Sequence, residues 1–133
     1  MSMRARTGFT LLEAVVALAI VGVTAVGALG SVAADLRAAE DARTALEAEA
    51  LAVQHMAFIE MLTGEDLQRL PDSLARGTFA EPFDRYRWTA STTPVLGEEG
   101  LTAVTVEVEW SAGSFPLRTL LYRRPTTLEA GGP

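Results

Sequence analysis

The side chains of this chain offer few routes to bond-making chemistry. Its 133 residues include no cysteine, which excludes a disulfide framework, a thiolate nucleophile and thiolate-bound zinc or iron–sulfur centres. Histidine occurs once, at His55, so neither a histidine metal cluster nor a persuasive serine triad can be assembled, and His55 is expected at the surface or in a groove. Glu107 and Glu109 stand two apart and face the same way on a strand. That spacing suits paired acid–base carboxylates, but it suits the solvent face of a half-buried sheet better. Glu98-Glu99 is acidic enough to attract calcium but lacks EF-hand spacing, and is expected to be a solvated turn. There is no phosphate-binding glycine loop, dinucleotide fingerprint or nucleophile elbow. The expectation is a chain without catalytic residues, metal, cofactor or small-molecule substrate, and not an enzyme.

One charged side chain is nevertheless out of place. Glu13 stands immediately before Ala14–Ala34, AVVALAIVGVTAVGALGSVAA, a run of 21 residues without a charge. As a helix this run is about 31 Å long, matching a bilayer core of roughly 30 Å. A carboxylate in hydrocarbon costs on the order of 2.5 to 3.5 kcal/mol, so Glu13 requires a cation or an interfacial position. The positive end of its own helix dipole would favour it by about 0.3 to 1 kcal/mol. Arg4 and Arg6 precede the block and Asp35 follows it, which places the N-terminus in the cytoplasm and the remainder outside.

Three kinds of segment share these features. A secretory signal peptide also begins with basic residues, and Ser31-Val32-Ala33 or Val32-Ala33-Ala34 would serve as its cleavage site. Its apolar core is usually only about 7 to 15 residues, however. A plain membrane anchor fits the length. The third is indicated by Thr7-Gly8-Phe9-Thr10-Leu11-Leu12-Glu13, which resembles the processing motif of type IV prepilins: glycine before the cut, phenylalanine after it, and glutamate as the fifth residue of the mature chain. The resemblance rests on the first 34 residues. It implies that a prepilin peptidase cleaves between Gly8 and Phe9 and methylates the new amino terminus of Phe9. It also implies that Phe9 and Glu13 serve assembly, the glutamate pairing with the amine of a neighbouring subunit where low dielectric strengthens the attraction. Glycine before the cut permits an extended scissile segment. Gly22, Gly27 and Gly30 would let such helices approach closely. Family members usually carry a proline where this chain has Gly30, a departure that points towards a minor subunit.

Within that family the chain most resembles a minor pseudopilin of the I type from type II secretion. The resemblance implies J-like and K-like minor pseudopilins and the major pseudopilin as partners. It further implies an inner-membrane precursor with a periplasmic C-terminal domain, extracted into a pseudopilus. A minor pilin of a type IV pilus or competence filament is the alternative within the family, and a Sec-exported soluble binding domain is the alternative outside it.

The remaining elements must support this segment. Asp35 to Leu62 contains no proline or glycine and reads as the second, amphipathic half of one helix beginning at Phe9. Leu46, Ala50, Val53, Ala57 and Met61 recur at helical spacing, and the stripe of Leu46, Ala50, Val53 and Ala57 is expected to cover a sheet. Thr63-Gly64 reads as a helix stop, followed by an irregular connection with one short helix to about residue 84. Three strands are expected: around Tyr86–Ala90, around Val104–Trp110, and over Phe115–Arg123. Glycine-rich turns between them predict an antiparallel meander. The inward face of Tyr86, Trp88, Val104, Val106, Val108 and Trp110 would form the core.

The predicted fold is α+β, a long N-terminal helix on a small antiparallel sheet. The predicted segments are a leader over 1–8, a membrane half-helix over 9–34, an amphipathic half over 35–62, a connection and sheet over 63–124, and a loose tail over 125–133. The 11 basic residues, all arginine, are outnumbered by 17 acids. Without a basic stripe the chain lacks the footprint of a nucleic-acid partner.

Overall fold

The computed structural model describes residues 10–125, so Gly8 and Phe9 of the cleavage motif and residues 126–133 of the tail lie outside the described residues. The chain divides at Ala42/Arg43 into two compact units, and one continuous helix, α1 (Leu11–Glu60), contributes to both.

In the first unit the described residues are helix throughout, apart from Thr10. Nothing in the sequence interrupts the helical ladder: the unit has no proline from Thr10 onwards, and the Thr24 hydroxyl is satisfied internally, Oγ1 donating to Ile20 O at 2.8 Å. That is how a polar side chain is tolerated where water is absent. Every residue of this stretch is exposed, including Leu11, Leu18, Val23 and Leu29. A helix apolar on all sides needs a non-aqueous surrounding. Among the described residues α1 is the one helix long and apolar enough to cross a membrane.

The second unit places residues 43–60 of α1 on a four-stranded antiparallel sheet. After α1 come α2 (Gly64–Gln68) and α3 (Asp72–Ala75), then β1 (Arg76–Thr78), β2 (Arg87–Pro94), β3 (Leu101–Trp110) and β4 (Gly113–Tyr122). The spatial order is β1-β2-β3-β4, the meander expected from the turns, with one strand more than the three expected. The extra strand is β1, three residues within the stretch read as irregular, too short to show alternation. Its pairing opposite Arg87–Thr89 creates it. The connection also holds two short helices where one was expected. Thr63-Gly64 begins α2 as well as ending α1: the Thr63 hydroxyl accepts the Asp66 N–H at 3.3 Å, an ordinary N-cap.

Register explains the core. Trp88, Ala90 and Thr92 of β2 pair with Val108, Val106 and Val104 of β3, which pair in turn with Phe115, Leu117 and Thr119 of β4. These rows face one side, and the three valines are fully buried. What covers them differs from expectation. The α1 residues in the core are Ala48, Leu51, Ala52, Met56 and Ile59, with His55 buried beside them. Leu46, Ala50, Val53 and Ala57, predicted to cover the sheet, are exposed on the opposite side of the helix, as is Met61 just past its end. The lower half of α1 is apolar on two faces. Ala48 and Ala52 allow the close helix–sheet approach, and Leu51, Met56 and Ile59 fill the gaps around them, each buried side chain stabilising by about 1.5 to 3 kcal/mol.

His55, expected at the surface or in a groove, lines a groove with Phe79 and Trp88 and is not at the surface. It is buried, with Nε2 donating to Leu74 O at 2.8 Å and its ring 4.6 Å from that of Trp88. The Trp88 indole N–H donates to the same carbonyl at 3.2 Å. One acceptor thereby ties α1, β2 and the end of α3 together. Gly77, opposite Trp88 in the register, leaves the space that the indole occupies: a β-carbon there would collide with the ring.

Candidate functional site

At the N-terminal end the local chemistry is a helix cap. The first amides of a helix have no carbonyl partner within it. Here the Thr10 hydroxyl accepts the Glu13 N–H at 3.2 Å, while the Thr10 carbonyl accepts the Ala14 N–H at 3.1 Å. Thr10 is therefore the N-cap of α1, and Glu13 lies in the first turn, three residues on, the spacing of a capping box. The helix start and the acid are fixed together. Glu13 is exposed. The cap was legible in Thr10-Leu11-Leu12-Glu13, although the processing motif alone does not call attention to it. Gly8 and Phe9, the expected cleavage and methylation residues, lie outside the described residues, so among the expected site residues the structure positions Glu13.

In the second unit, the exposed apolar face of α1 is the other candidate. Leu46 is 66% exposed, Val53 54% and Met61 75%, with Ala50 and Ala57 between them at spacings of three and four, the period of a helix–helix seam. Large apolar side chains in a continuous row mark a surface that another protein or a membrane covers.

This face is held in position by contacts from the sheet side. Glu47 accepts from the Tyr86 hydroxyl at 2.8 Å and from Arg85 Nη2 at 2.6 Å, and from Arg43 Nε at 3.3 Å. The Tyr86 hydroxyl bond and then the Arg85 bond hold the Glu47 carboxyl below the usual carboxylate value. Burial, followed by the neighbouring carboxylate, pushes the Tyr86 phenol up. Glu47 raises Arg85 further above its ordinary range. At the other end Arg123 donates to Glu60 O and, at 3.4 Å, to Leu62 O. These are carbonyls a helix C-terminus leaves unpaired, and a cation there also suits the dipole. Arg85, Tyr86 and Arg123 were legible only as strand residues.

Glu107 and Glu109 lie on the sheet face away from α1, beside Thr89 and Arg87 of β2. Glu98 and Glu99 sit in the β2–β3 connection, where Gly97 and Gly100 adopt φ of 86° and 82°. Each occupies the third position of a turn, closed by Glu98 N–H to Val95 O and Leu101 N–H to Glu98 O, the geometry for which glycine is suited.

The chain matches no curated protein and no solved structure. Residues 3–29 match the family model described as the prokaryotic N-terminal methylation motif, a segment that includes Gly8, Phe9, Thr10 and Glu13. With a long apolar helix continuing into a small antiparallel sheet domain, this match indicates a type IV pilin-like protein.

Proposed function

We propose that this chain is a minor pseudopilin of the I type, a structural subunit of the periplasmic pseudopilus tip in type II secretion. The observation that carries the proposal is the register of Gly8, Phe9 and Glu13 ahead of an uninterrupted apolar helix, within the matched segment. The small sheet domain, the absence of cysteine and Gly30 in place of the usual proline favour a minor subunit. The chain is made as an inner-membrane precursor with its N-terminus in the cytoplasm, cut between Gly8 and Phe9, and methylated on Phe9. Glu13 then pairs with the amine of a neighbour. The exposed row from Leu46 to Met61 gives that neighbour a second surface, and J-like and K-like subunits and the major pseudopilin are the partners. Its work is structural, with no catalysis by the chain itself.

Intact-mass and N-terminal analysis of the protein from membranes tests this. The expected result is a chain beginning with methylated Phe9. A chain beginning near Asp35 would overturn it in favour of a Sec-exported soluble domain. Co-purification with J-like and K-like subunits is expected. Incorporation into surface pili instead would assign the chain to a type IV pilus or competence filament.

A further inference from the structure

The two edges of the sheet are treated differently. A sheet edge is a row of unpaired backbone groups that can template another strand. On β2, the Val95 N–H bonds to Leu101 O, which turns the odd-numbered residues towards β3 and the even-numbered Ala90, Thr92 and Pro94 outwards. That edge is covered: β1 pairs with Arg87–Thr89, α2 and α3 pack against β2, and Pro94 has no N–H to offer. On β4, Arg123 N–H bonds to Gly100 O at 2.8 Å, so the outward positions are Ser114, Pro116, Arg118, Leu120 and Tyr122. Pro116 blocks the beginning of the strand, but Arg118 and Leu120 carry free backbone donors and acceptors, and Tyr122 a free donor, its carbonyl accepting from Arg123 Nη1 at 3.3 Å. Among the described residues no strand pairs with them.

The same three residues point their side chains to the sheet face away from α1. Leu120 is 55% exposed and Tyr122 60%. Arg118 and, just past the strand, Arg124 flank them, both exposed and neither in an ion pair among the described residues. The acids of this face, Glu107 and Glu109, stand on β3 opposite Pro116 and Ser114.

We infer that the β4 edge at Arg118–Tyr122 docks an extended protein segment carrying two apolar side chains at alternate positions between two carboxylates. Main-chain bonds along the edge supply affinity, and alternate side chains supply selectivity. A second β4 is a poor occupant. Antiparallel pairing centred on Leu120 would set Arg118 against Tyr122 and gather four arginines at the seam, while Glu107 and Glu109 stay on β3 opposite Pro116 and Ser114. The inference rests on the sheet edge, whose Leu117, Arg118 and Thr119 border one groove with Val53, Ala57 and Glu60 of α1.

The test uses the full-length mature chain in detergent and the peptide Glu-Thr-Val-Thr-Val-Thr-Glu, with Lys-Thr-Val-Thr-Val-Thr-Lys as its counterpart. The acidic peptide should bind and slow amide exchange at Arg118, Leu120 and Tyr122. The lysine peptide should not. Arg118→Glu should weaken the acidic peptide by about fivefold or more, replacing an attraction at an exposed site by a repulsion, and should improve the lysine peptide. Leu120→Pro, which removes an outward N–H as Pro116 already does, should abolish binding of either. Equal binding of both peptides, protection elsewhere than β4, or indifference to Arg118→Glu would overturn the inference.

Discussion

The Tyr86 hydroxyl donates to Glu47 Oε2 at 2.8 Å, joining residues 39 positions apart. Tyr86 is fully buried at the start of the sheet region and Glu47 lies on α1, so this bond and its companion from Arg85 hold the helix against the sheet. A depressed carboxylate contributes stability above its unfolded value, here 4.5, and loses it as pH falls through the lower folded value. Tyr86→Phe should therefore shift the Glu47 titration up towards 4.5, followed by carboxyl NMR. It should also cost about 1 to 2 kcal/mol at neutral pH, measured by denaturant unfolding. As the pH falls through the lowered Glu47 value, the difference between the two proteins should shrink.

The two apolar faces of α1 should respond differently to substitution. Ile59→Ala removes a fully buried side chain and should cost about 2 to 5 kcal/mol, read by thermal unfolding of the soluble part of the signal. Val53→Glu, on the exposed row, should change stability by less than about 0.5 kcal/mol while sharply reducing recovery of the chain with its filament partners. A Val53→Glu protein that assembles normally would remove that face from the assembly surface.

Gly77 should not accept a side chain. Gly77→Ala places a methyl group in the Trp88 ring, and overpacking of this kind costs about 1 to 3 kcal/mol. Movement of Trp88 should also break its bond to Leu74 O, so a change in tryptophan fluorescence should accompany the loss of stability.

Thr10 and Glu13 separate folding of the helix start from assembly. Glu13→Ala leaves the Thr10 hydroxyl with its N–H partner, so the precursor should still insert and be processed, but incorporation into the assembly should fall by tenfold or more. Thr10→Val removes the cap, at about 1 kcal/mol, and Thr10→Ser should restore it. Pull-down with partner subunits and helicity of the N-terminal segment in detergent report the two effects.

Arg123→Ala should fray the C-terminus of α1 by freeing Glu60 O and Leu62 O. Faster amide exchange over the last turn, with a loss of about 1 to 2 kcal/mol, is the expected result.

Local pattern determined much of this protein. The uncharged run from Ala14 to Ala34 dictates a membrane-length helix whatever surrounds it. Gly8, Phe9 and Glu13 are adjacent enough to be read as one motif, and Val104, Val106 and Val108 alternate strictly because one face of β3 is buried. Tertiary structure decided what periodicity leaves degenerate. Residues 43–60 of α1 carry two apolar stripes at helical spacing, and only the sheet selects the one with Ala48, Leu51, Ala52, Met56 and Ile59 as core. The other stripe is thereby left exposed. β1 exists because Arg87–Thr89 offers it an edge, and His55 is buried because Leu74 O and Trp88 receive it. Such choices depend on contacts between residues far apart in the chain, and no local spacing encodes which of two compatible faces will find its partner first.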